Sequence, residues 1–499
     1  MRRLLHDIDA LYTCDDAHTA LSGAWIVVDG ERIAEVGAGT PPEGDFDERI
    51  DLSGAIAMPG LVNMHHHFFQ TLTRAIPAGQ RGHLVEWLWR MYPLWSLTTP
   101  DDLAAATRAT AAELMLTGAT TTVDHAYLVP RCDQAFVEAE VEAALGTGLR
   151  LHLVRGSITA LEADLAPRLT DLLGPRAGGI LDAPDEVLAA MRATLERHHA
   201  TGWGTRLSVA LGPTTTTYED LSFMAAVARL SEEFSCGLHT HFHPRPDERI
   251  AARDLLGTTP SEVLERVGWL TPRTWFAHST RLDDDDMARL AANGCAVAHC
   301  PRMVVRLGAR VSEVHRMLAA GVRVAVGVDG GASNDSGSML GEMRLALLLH
   351  RVAGGDGTVP PEEWLDPYDV LLMATREGAA ILGRDDIGRI TPGACADITA
   401  FDVSGVGFSG ARTDLLSALL LAGDDTRAAL TMVAGETKVR DGRLVGADEH
   451  ALRAAVDAAT ARLVEKAAAL TGIDYAAFPP ARRRSATPSL GAPSLGAPR

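Results

Sequence analysis

The sequence predicts an α/β protein: a (β/α)8 TIM-like barrel with a small β-sandwich domain formed by its N- and C-terminal segments. Three observations carry the prediction. Eight short apolar segments alternate with helical patterns through the middle of the chain, the signature of a parallel α/β architecture. The C-terminal ends of those segments hold polar or titratable side chains, where barrels place their functional groups. Both ends of the chain show apolar runs broken by Asp-Gly, a strong hairpin signal.

In order, residues 1–58 form the N-terminal part of the sandwich, with a hairpin in Gly23-Ala-Trp-Ile-Val-Val-Asp-Gly-Glu-Arg-Ile-Ala-Glu-Val-Gly37. The barrel spans 59–385. Its strands are expected at 55–67, 119–126, 149–156, 205–212, 236–243, 274–280, 295–300 and 323–329. Among the helices, Thr99-Pro-Asp-Asp-Leu103 starts one that Gly118 stops, Leu282-Asp-Asp-Asp-Asp-Met287 starts one that Gly294 stops, and Ser312 to Ala320 precedes Gly321. Acidic starts suit the helix dipole, and glycine stops suit the left-handed C-terminal turn. The sandwich resumes over 386–447, where Asp441-Gly442 repeats the hairpin signal. A C-terminal helix is expected over 448–478 and a disordered tail over 479–499, which duplicates Ser-Leu-Gly-Ala-Pro without a core pattern.

The 499 residues suffice for one large domain and a smaller one. Lys+Arg 46 against Asp+Glu 65 gives a net charge of -19, which argues against nucleic acid or an anionic membrane as partner. His6, Asp7 and Asp9 interrupt the N-terminus before a signal-peptide core develops, and no apolar run reaches the roughly 18 residues a bilayer requires. The 6 cysteines lack CxxC spacing, which fits reduced thiols in the cytoplasm better than a disulfide framework.

Met58-Pro-Gly-Leu-Val-Asn-Met-His-His-His67 ends an apolar run in imidazoles. In an extended strand His65 and His67 share a face while His66 points away, and two neutral imidazoles converging on one point suit a metal ion. A histidine cluster on a surface loop is the alternative. The other strand ends weigh for the metal: Asp124-His125, Arg155, Thr214 to Thr217, His239, His241 and His243, His278, His299 and Asp329.

Several separated segments carry a resemblance. They are Pro59-Gly-Leu-Val-Asn-Met-His-His-His67, Leu72-Thr-Arg74, Asp124-His125, His239-Thr-His241, Ala277-His278, Ala298-His-Cys-Pro301, Gly327-Val-Asp-Gly-Gly-Ala-Ser-Asn-Asp335, Glu342 to His350 and Pro392-Gly-Ala-Cys-Ala-Asp397. As a set, over about residues 20–445, they resemble the amidohydrolase superfamily, within its aminohydrolase group of 8-oxoguanine deaminase, guanine deaminase and triazine hydrolases. The resemblance implies one divalent ion, zinc before iron, held by His65, His67, His241 and Asp329. No lysine near the end of strand four offers the carboxylated bridge of two-metal relatives. Such a donor set leaves the ion a Lewis acid able to bring a bound water to a pKa of roughly 7.

By the same resemblance Asp329 also takes the water proton, and His278 steadies the hydroxide and the oxyanion. The alternatives are a core histidine at 278 and a turn-forming aspartate before Gly330. Gln70, Arg74, Trp87, His125 and Arg155 are placed around a flat heterocycle, with core packing the alternative for Trp87 or Trp89. The resemblance also implies a homo-oligomer.

One departure matters. Relatives acting on ring C–NH2 groups carry His-x-x-Glu after strand five, and that glutamate moves a proton onto the ring nitrogen or the leaving amine. Here the run is His241-Phe-His-Pro244. His243 could take the acid/base role. Asp247 or Glu248 could enter from the following loop, although a solvated charge is the expectation for them. The substrate could be an exocyclic amide that needs no ring protonation, or catalysis could be lost, against which the intact ligand set and His278 argue. Arg302-Met-Val-Val-Arg306 stands where relatives carry small polar residues, so the pocket floor is expected to differ.

The sequence thus points to a metal-dependent hydrolase cleaving a non-peptide C–N bond of a small aromatic or heterocyclic substrate, with hydrolytic deamination as the leading chemistry. Hydrolysis of an exocyclic amide, removing an acyl or aminoacyl group, is the alternative. A non-catalytic binding protein is the second.

Overall fold

The structure is a computed structural model that describes residues 1–161, 165–175, 177–216, 218–243, 246–353, 359–423 and 427–478, apart from the side chains of residues 246, 247, 251 and 255. Thr217, Pro244, the Asp247 side chain and the 479–499 tail lie outside the described residues.

Eight parallel strands in consecutive order build the barrel. They are β1 (Leu61–Asn63), β2 (Ala119–Ala126), β3 (Arg150–Ser157), β4 (Leu207–Pro213), β5 (Leu238–Phe242), β6 (Thr274–His278), β7 (Ala296–His299) and β8 (Arg323–Val326). Between β8 and β1 the ring is joined just beyond the strands, where Met64 N–H donates to Val326 O at 3.0 Å and Asp329 N–H to His65 O at 2.9 Å. The second bond sets two of the expected metal ligands side by side.

The first expected strand, 55–67, is divided between two sheets. Ala55–Pro59 pairs antiparallel with Ile398–Asp402 in the terminal domain, and only Leu61–Asn63 joins the barrel. The change falls at Gly60, whose N–H donates to Asp397 O while the next N–H donates to Gly118 O, both at 2.9 Å. A Cβ at residue 60 would lie 2.2 Å from the Thr120 side chain, so only glycine fits this crossing.

Two of the expected helices start as their sequences dictate. Thr99 and Asp102 form a reciprocal capping box ahead of Pro100–Leu116, and Asp283 and Asp286 do the same for Asp284–Ala292. The third begins late, at Val314, without a side-chain cap. Ser312 spends its hydroxyl on the carbonyl of His278 at 2.9 Å instead, a tertiary bond that local propensity does not show.

The terminal strands form one continuous mixed sheet in the order Arg443–Leu444, Glu436–Arg440, Leu430–Val433, Ile398–Asp402, Ala55–Pro59, Arg2–Tyr12, Ala20–Asp29 and Arg32–Ala38, with Glu48–Asp51 beside Arg2–Tyr12. It curls until its edge strand reaches the segment leading into Ile398–Asp402, where Ile33 N–H donates to Ala394 O at 2.9 Å and Gly393 N–H to Ile33 O at 2.8 Å. The expected sandwich is therefore one sheet folded over a core that includes Leu5, Ile26, Ile33, Ile398 and Met432. At the second hairpin Asp441 and Gly442 both have positive φ, 51° and 71°, as a type I′ turn requires.

Within the expected C-terminal segment 448–478 the helix runs Glu449–Thr471 and ends at Gly472 in the left-handed conformation. Beyond it the chain folds back so that Tyr475 is buried and its carbonyl accepts from Ala78 N–H. Thr460 Oγ1 donates to Leu72 O at 2.7 Å, and Arg462 pairs with Asp102. The helix thereby braces the turn that follows the histidine cluster. Among the described residues no helix is long and apolar enough to cross a membrane, and all six cysteines are free.

One buried ion pair joins the two domains. Arg150, at the start of β3, donates from Nε and Nη2 to the two carboxylate oxygens of Asp397 at 2.7 and 3.0 Å, and both side chains are 1% exposed. Removing one partner of such a pair strands a buried charge, at a cost of about 3–5 kcal/mol. Asp397→Ala is therefore expected to lower the unfolding free energy by about that amount in denaturant titration. A loss well under about 1 kcal/mol, the range of exposed pairs, would show that the clamp is not structural.

Candidate metal centre and active site

The expected ligands converge. Beyond β1 the chain stays extended through His67, whose φ is -139°, and this carries His65 and His67 to the barrel mouth, their rings 4.6 Å apart. His66 points elsewhere, accepting from the His67 N–H through Nδ1 at 2.7 Å. His241 near the end of β5 places Nε2 3.2 Å from His67 Nε2. Asp329, just past β8, places Oδ1 3.2 Å from His67 Nε2 and 3.4 Å from His65 Nε2. His278 closes the group at the end of β6, its Nε2 3.8 Å from Asp329 Oδ2.

Hydrogen bonds at the other ring nitrogens set the tautomers. His67 Nδ1 faces the His125 carbonyl at 3.0 Å and His241 Nδ1 faces the Thr214 carbonyl at 2.5 Å. A carbonyl only accepts, so each Nδ1 carries the proton and each Nε2 a lone pair. The two lone pairs then oppose each other at 3.2 Å, and His65 Nε2 is buried with no hydrogen-bond partner. Nitrogen lone pairs and a carboxylate packed together without a donor between them fit a cation of the zinc type.

Electrostatics agree. Burial, reinforced by the neighbouring imidazoles, holds His65 well below the usual imidazole range and His241 down to about 4. Burial likewise depresses His278. These rings are neutral at neutral pH. Burial alone would raise the Asp329 carboxyl, but the imidazoles gathered around it, His67 first and then His278 and His241, hold it below the ordinary carboxylate range. His278 and Asp329 both sit at positive φ, 69° and 64°. Such strain costs about 1–3 kcal/mol per residue and clusters at functional sites. The Ser312 hydroxyl on the His278 carbonyl helps to hold it.

The cluster opens into a cavity of about 500 Å³, within the range of small-molecule sites. Trp87, Tyr92, Tyr127, Ile158, Met303 and Leu307 supply aromatic and aliphatic wall, and Gln70, Thr214, His243, Glu248, Arg281 and Ser333 supply polar groups. Gln70 Oε1 accepts from Ser333 N–H at 3.2 Å. This placement depends on Gly330, where a Cβ would come within 2.1 Å of that oxygen. Trp87 lines the cavity, whereas Trp89 lies against Arg168, its ring 4.5 Å from the guanidinium. Met303 brings the altered floor segment into the wall.

Three expected substrate residues do not line this cavity. Arg74 is turned to Glu113, in an ion pair of 2.5 Å. His125 is buried behind the ligands, its Nε2 facing Gly212 O at 3.0 Å. Arg155 is buried against the Gly156 carbonyl and Cys132 Sγ. His125 and Arg155 sit a layer behind the cavity wall, and Arg74 turns away from it along its loop. Glu248 reverses the other way: expected as a solvated loop charge, it lies on the helix Pro246–Leu256, is 6% exposed and faces the cavity. Nothing in its local sequence marks this. Tyr127, which also lines the cavity, was not singled out from the sequence, although its two-residue spacing from His125 was the available signal.

A nearly closed parallel barrel whose strand ends gather imidazoles and an aspartate defines a metal-dependent hydrolase scaffold. Residues 56–438 match the model of the amidohydrolase family, and the chain belongs to that family, as an amidohydrolase acting on carbon–nitrogen bonds other than peptide bonds. It is 36% identical over 457 residues to the 8-oxoguanine deaminase of Pseudomonas aeruginosa, covering 91% of this chain and 97% of that protein. It is 33% identical over 465 residues to the hydroxydechloroatrazine ethylaminohydrolase of Pseudomonas sp. strain ADP, covering 91% and 94%. Among solved structures, the atrazine chlorohydrolase of Arthrobacter aurescens TC1 complexed with zinc superposes with a TM-score of 0.83 at 32% identity, covering 92% of this chain and 100% of that one.

A ligand that binds only the folded state stabilises it by mass action, about 2.7 kcal/mol at one hundred times its dissociation constant. Zinc added to metal-stripped protein is therefore expected to raise the melting temperature, and His67→Ala to abolish the rise. A wild-type melting curve indifferent to zinc would contradict the site.

Proposed function

We propose that this protein is a mononuclear, zinc-dependent deaminase of a small aromatic or heterocyclic amine, with His65, His67, His241 and Asp329 holding the ion. The observation that supports this reading is the meeting of those four side chains and His278 at one wall of an aromatic cavity, with His67, His241, His278 and Asp329 lining it and His65 just behind. When bound, zinc supplies Lewis acidity that lowers the pKa of water toward about 7.

The chain's own groups do the rest. Trp87 and Tyr127 offer faces against which a flat ring lies, and the surrounding apolar wall excludes bulk water, which strengthens every charge interaction inside. Asp329, depressed and ionised, accepts the proton of the attacking water. His278 Nε2 steadies the oxygen as charge develops on it. His243 stacks on His278 with ring centroids 4.9 Å apart and planes 14° apart, its Nδ1 3.3 Å from Thr280 Oγ1. From that wall it delivers a proton to the leaving amine, the task of the glutamate whose place Pro244 takes in the sequence.

Pro244 also favours a second reading, hydrolysis of an exocyclic amide, in which no ring nitrogen needs protonation. Buried free thiols fit the proposed cytoplasmic location, and the assembly proposed is a homo-oligomer.

Ammonia release across purines, pterins and triazines tests deamination; turnover of N-acyl aromatic amides without any ammonia release would replace it by the second reading. Asp329→Asn is expected to abolish turnover while the circular-dichroism spectrum stays native, and full activity would refute its role. His243→Ala is expected to lower kcat by roughly 10²–10⁴, the worth of a positioned acid or base. An unchanged rate and pH profile would remove His243 from the mechanism.

A further inference from the structure

Behind the ligand cluster lies a buried imidazole that the mechanism above does not use. His239 lies on the same face of β5 as His241 but one step deeper, and it is fully buried. Its Nδ1 faces the carbonyl of Trp275 at 2.8 Å, and its Nε2 faces His65 Nδ1 at 2.7 Å. Trp275 is its register partner on β6 and stacks on it, with centroids 4.8 Å apart and planes 19° apart. The Trp275 indole N–H in turn donates to Met64 O at 3.3 Å, one residue before His65.

We propose that His239 is a positioning residue that fixes the tautomer and the aim of the metal ligand His65, relaying the direction of one backbone carbonyl through two imidazoles. The inference rests on the metal-site reading. The Trp275 carbonyl can only accept, so His239 Nδ1 carries the proton and Nε2 a lone pair. Of two nitrogens 2.7 Å apart one must donate, and His65 Nδ1 is the one left to do so. His65 then presents its lone pair at Nε2, the buried atom without a partner that lies 3.4 Å from Asp329 Oδ1.

A metal-ligating histidine ordinarily gives its other N–H to a carboxylate, a backbone carbonyl or water, and losing that partner weakens metal binding. A neutral imidazole in that position aims the ligand without adding negative charge beside the ion. The closed path from Met64 through Trp275 and His239 to His65 ties the ring back to the backbone that carries it. His125 shares the chamber: its Nε2 is taken by Gly212 O, and its buried Nδ1 has no partner.

Zinc affinity, read by competition with a chromophoric chelator, tests the relay in wild type, His239→Phe and His239→Gln. Phenylalanine keeps the ring but has no acceptor; glutamine offers a carbonyl oxygen near the place of Nε2. The expected result is zinc binding weakened about 10–100-fold in the Phe variant and largely recovered in the Gln variant, with native circular dichroism in both metal-free proteins. Wild-type affinity in a folded Phe variant overturns the relay, as does equal weakening in both variants when both are folded. Two zinc ions per wild-type chain falling to one in the Phe variant also overturns it, because an inner ion on His239 and His125 would then replace the hydrogen bond. Wild-type protein that binds no zinc would instead remove the metal-site reading itself.

Discussion

Lone pairs that face one another in a dry barrel mouth need a positive charge between them, and the rest of this structure is arranged to meet that constraint. Backbone carbonyls of His125 and Thr214 take up the Nδ1 protons of His67 and His241. Asp329 enters within 3.4 Å of His65 and His67 with its backbone at positive φ. The carbonyl bonds satisfy buried N–H groups, but crowding the opposing lone pairs and a carboxylate together is favourable only with a cation between them, which is why the metal belongs to the fold as much as to the chemistry.

The supporting layers follow from the same need. The β8–β1 join is made by backbone bonds flanking His65 and Asp329, so closing the barrel and placing two ligands are one event. Gly330 leaves room for Gln70, and Ser312 gives up a helix cap to hold the strained His278. The C-terminal helix reaches back to the turn that carries Gln70. The cavity beyond is walled mostly by side chains from segments after the strands, where sequence change alters the substrate without disturbing the ligands.

Much of this was legible in the sequence. Alternating apolar segments indicated the barrel and Asp-Gly pairs the hairpins, because each depends on local periodicity or residue chemistry; strand-end imidazoles pointed to a metal, and the resemblance to the amidohydrolase superfamily supplied the ligand set. What stayed hidden depends on distance and depth. The 55–67 run reads as one strand because both of its halves are apolar, although Gly60 hands the chain from one sheet to another. Arg74, His125 and Arg155 carry groups suited to a heterocycle, but burial turns His125 and Arg155 to Gly212 and Cys132, and a partly exposed ion pair turns Arg74 to Glu113. Glu248 became a wall residue only through the placement of its helix, and His239 was visible as a strand-end imidazole while its partner, 174 positions away, was not.

The central claim is that His65, His67, His241 and Asp329 enclose one cation. Anomalous diffraction at the zinc edge from crystals of the purified protein tests it most directly. The account predicts a single strong peak per chain about 2.0–2.2 Å from the Nε2 atoms of the three histidines and from a carboxylate oxygen of Asp329. A zinc-supplemented crystal with no peak there, or with its metal held by other residues, would contradict it.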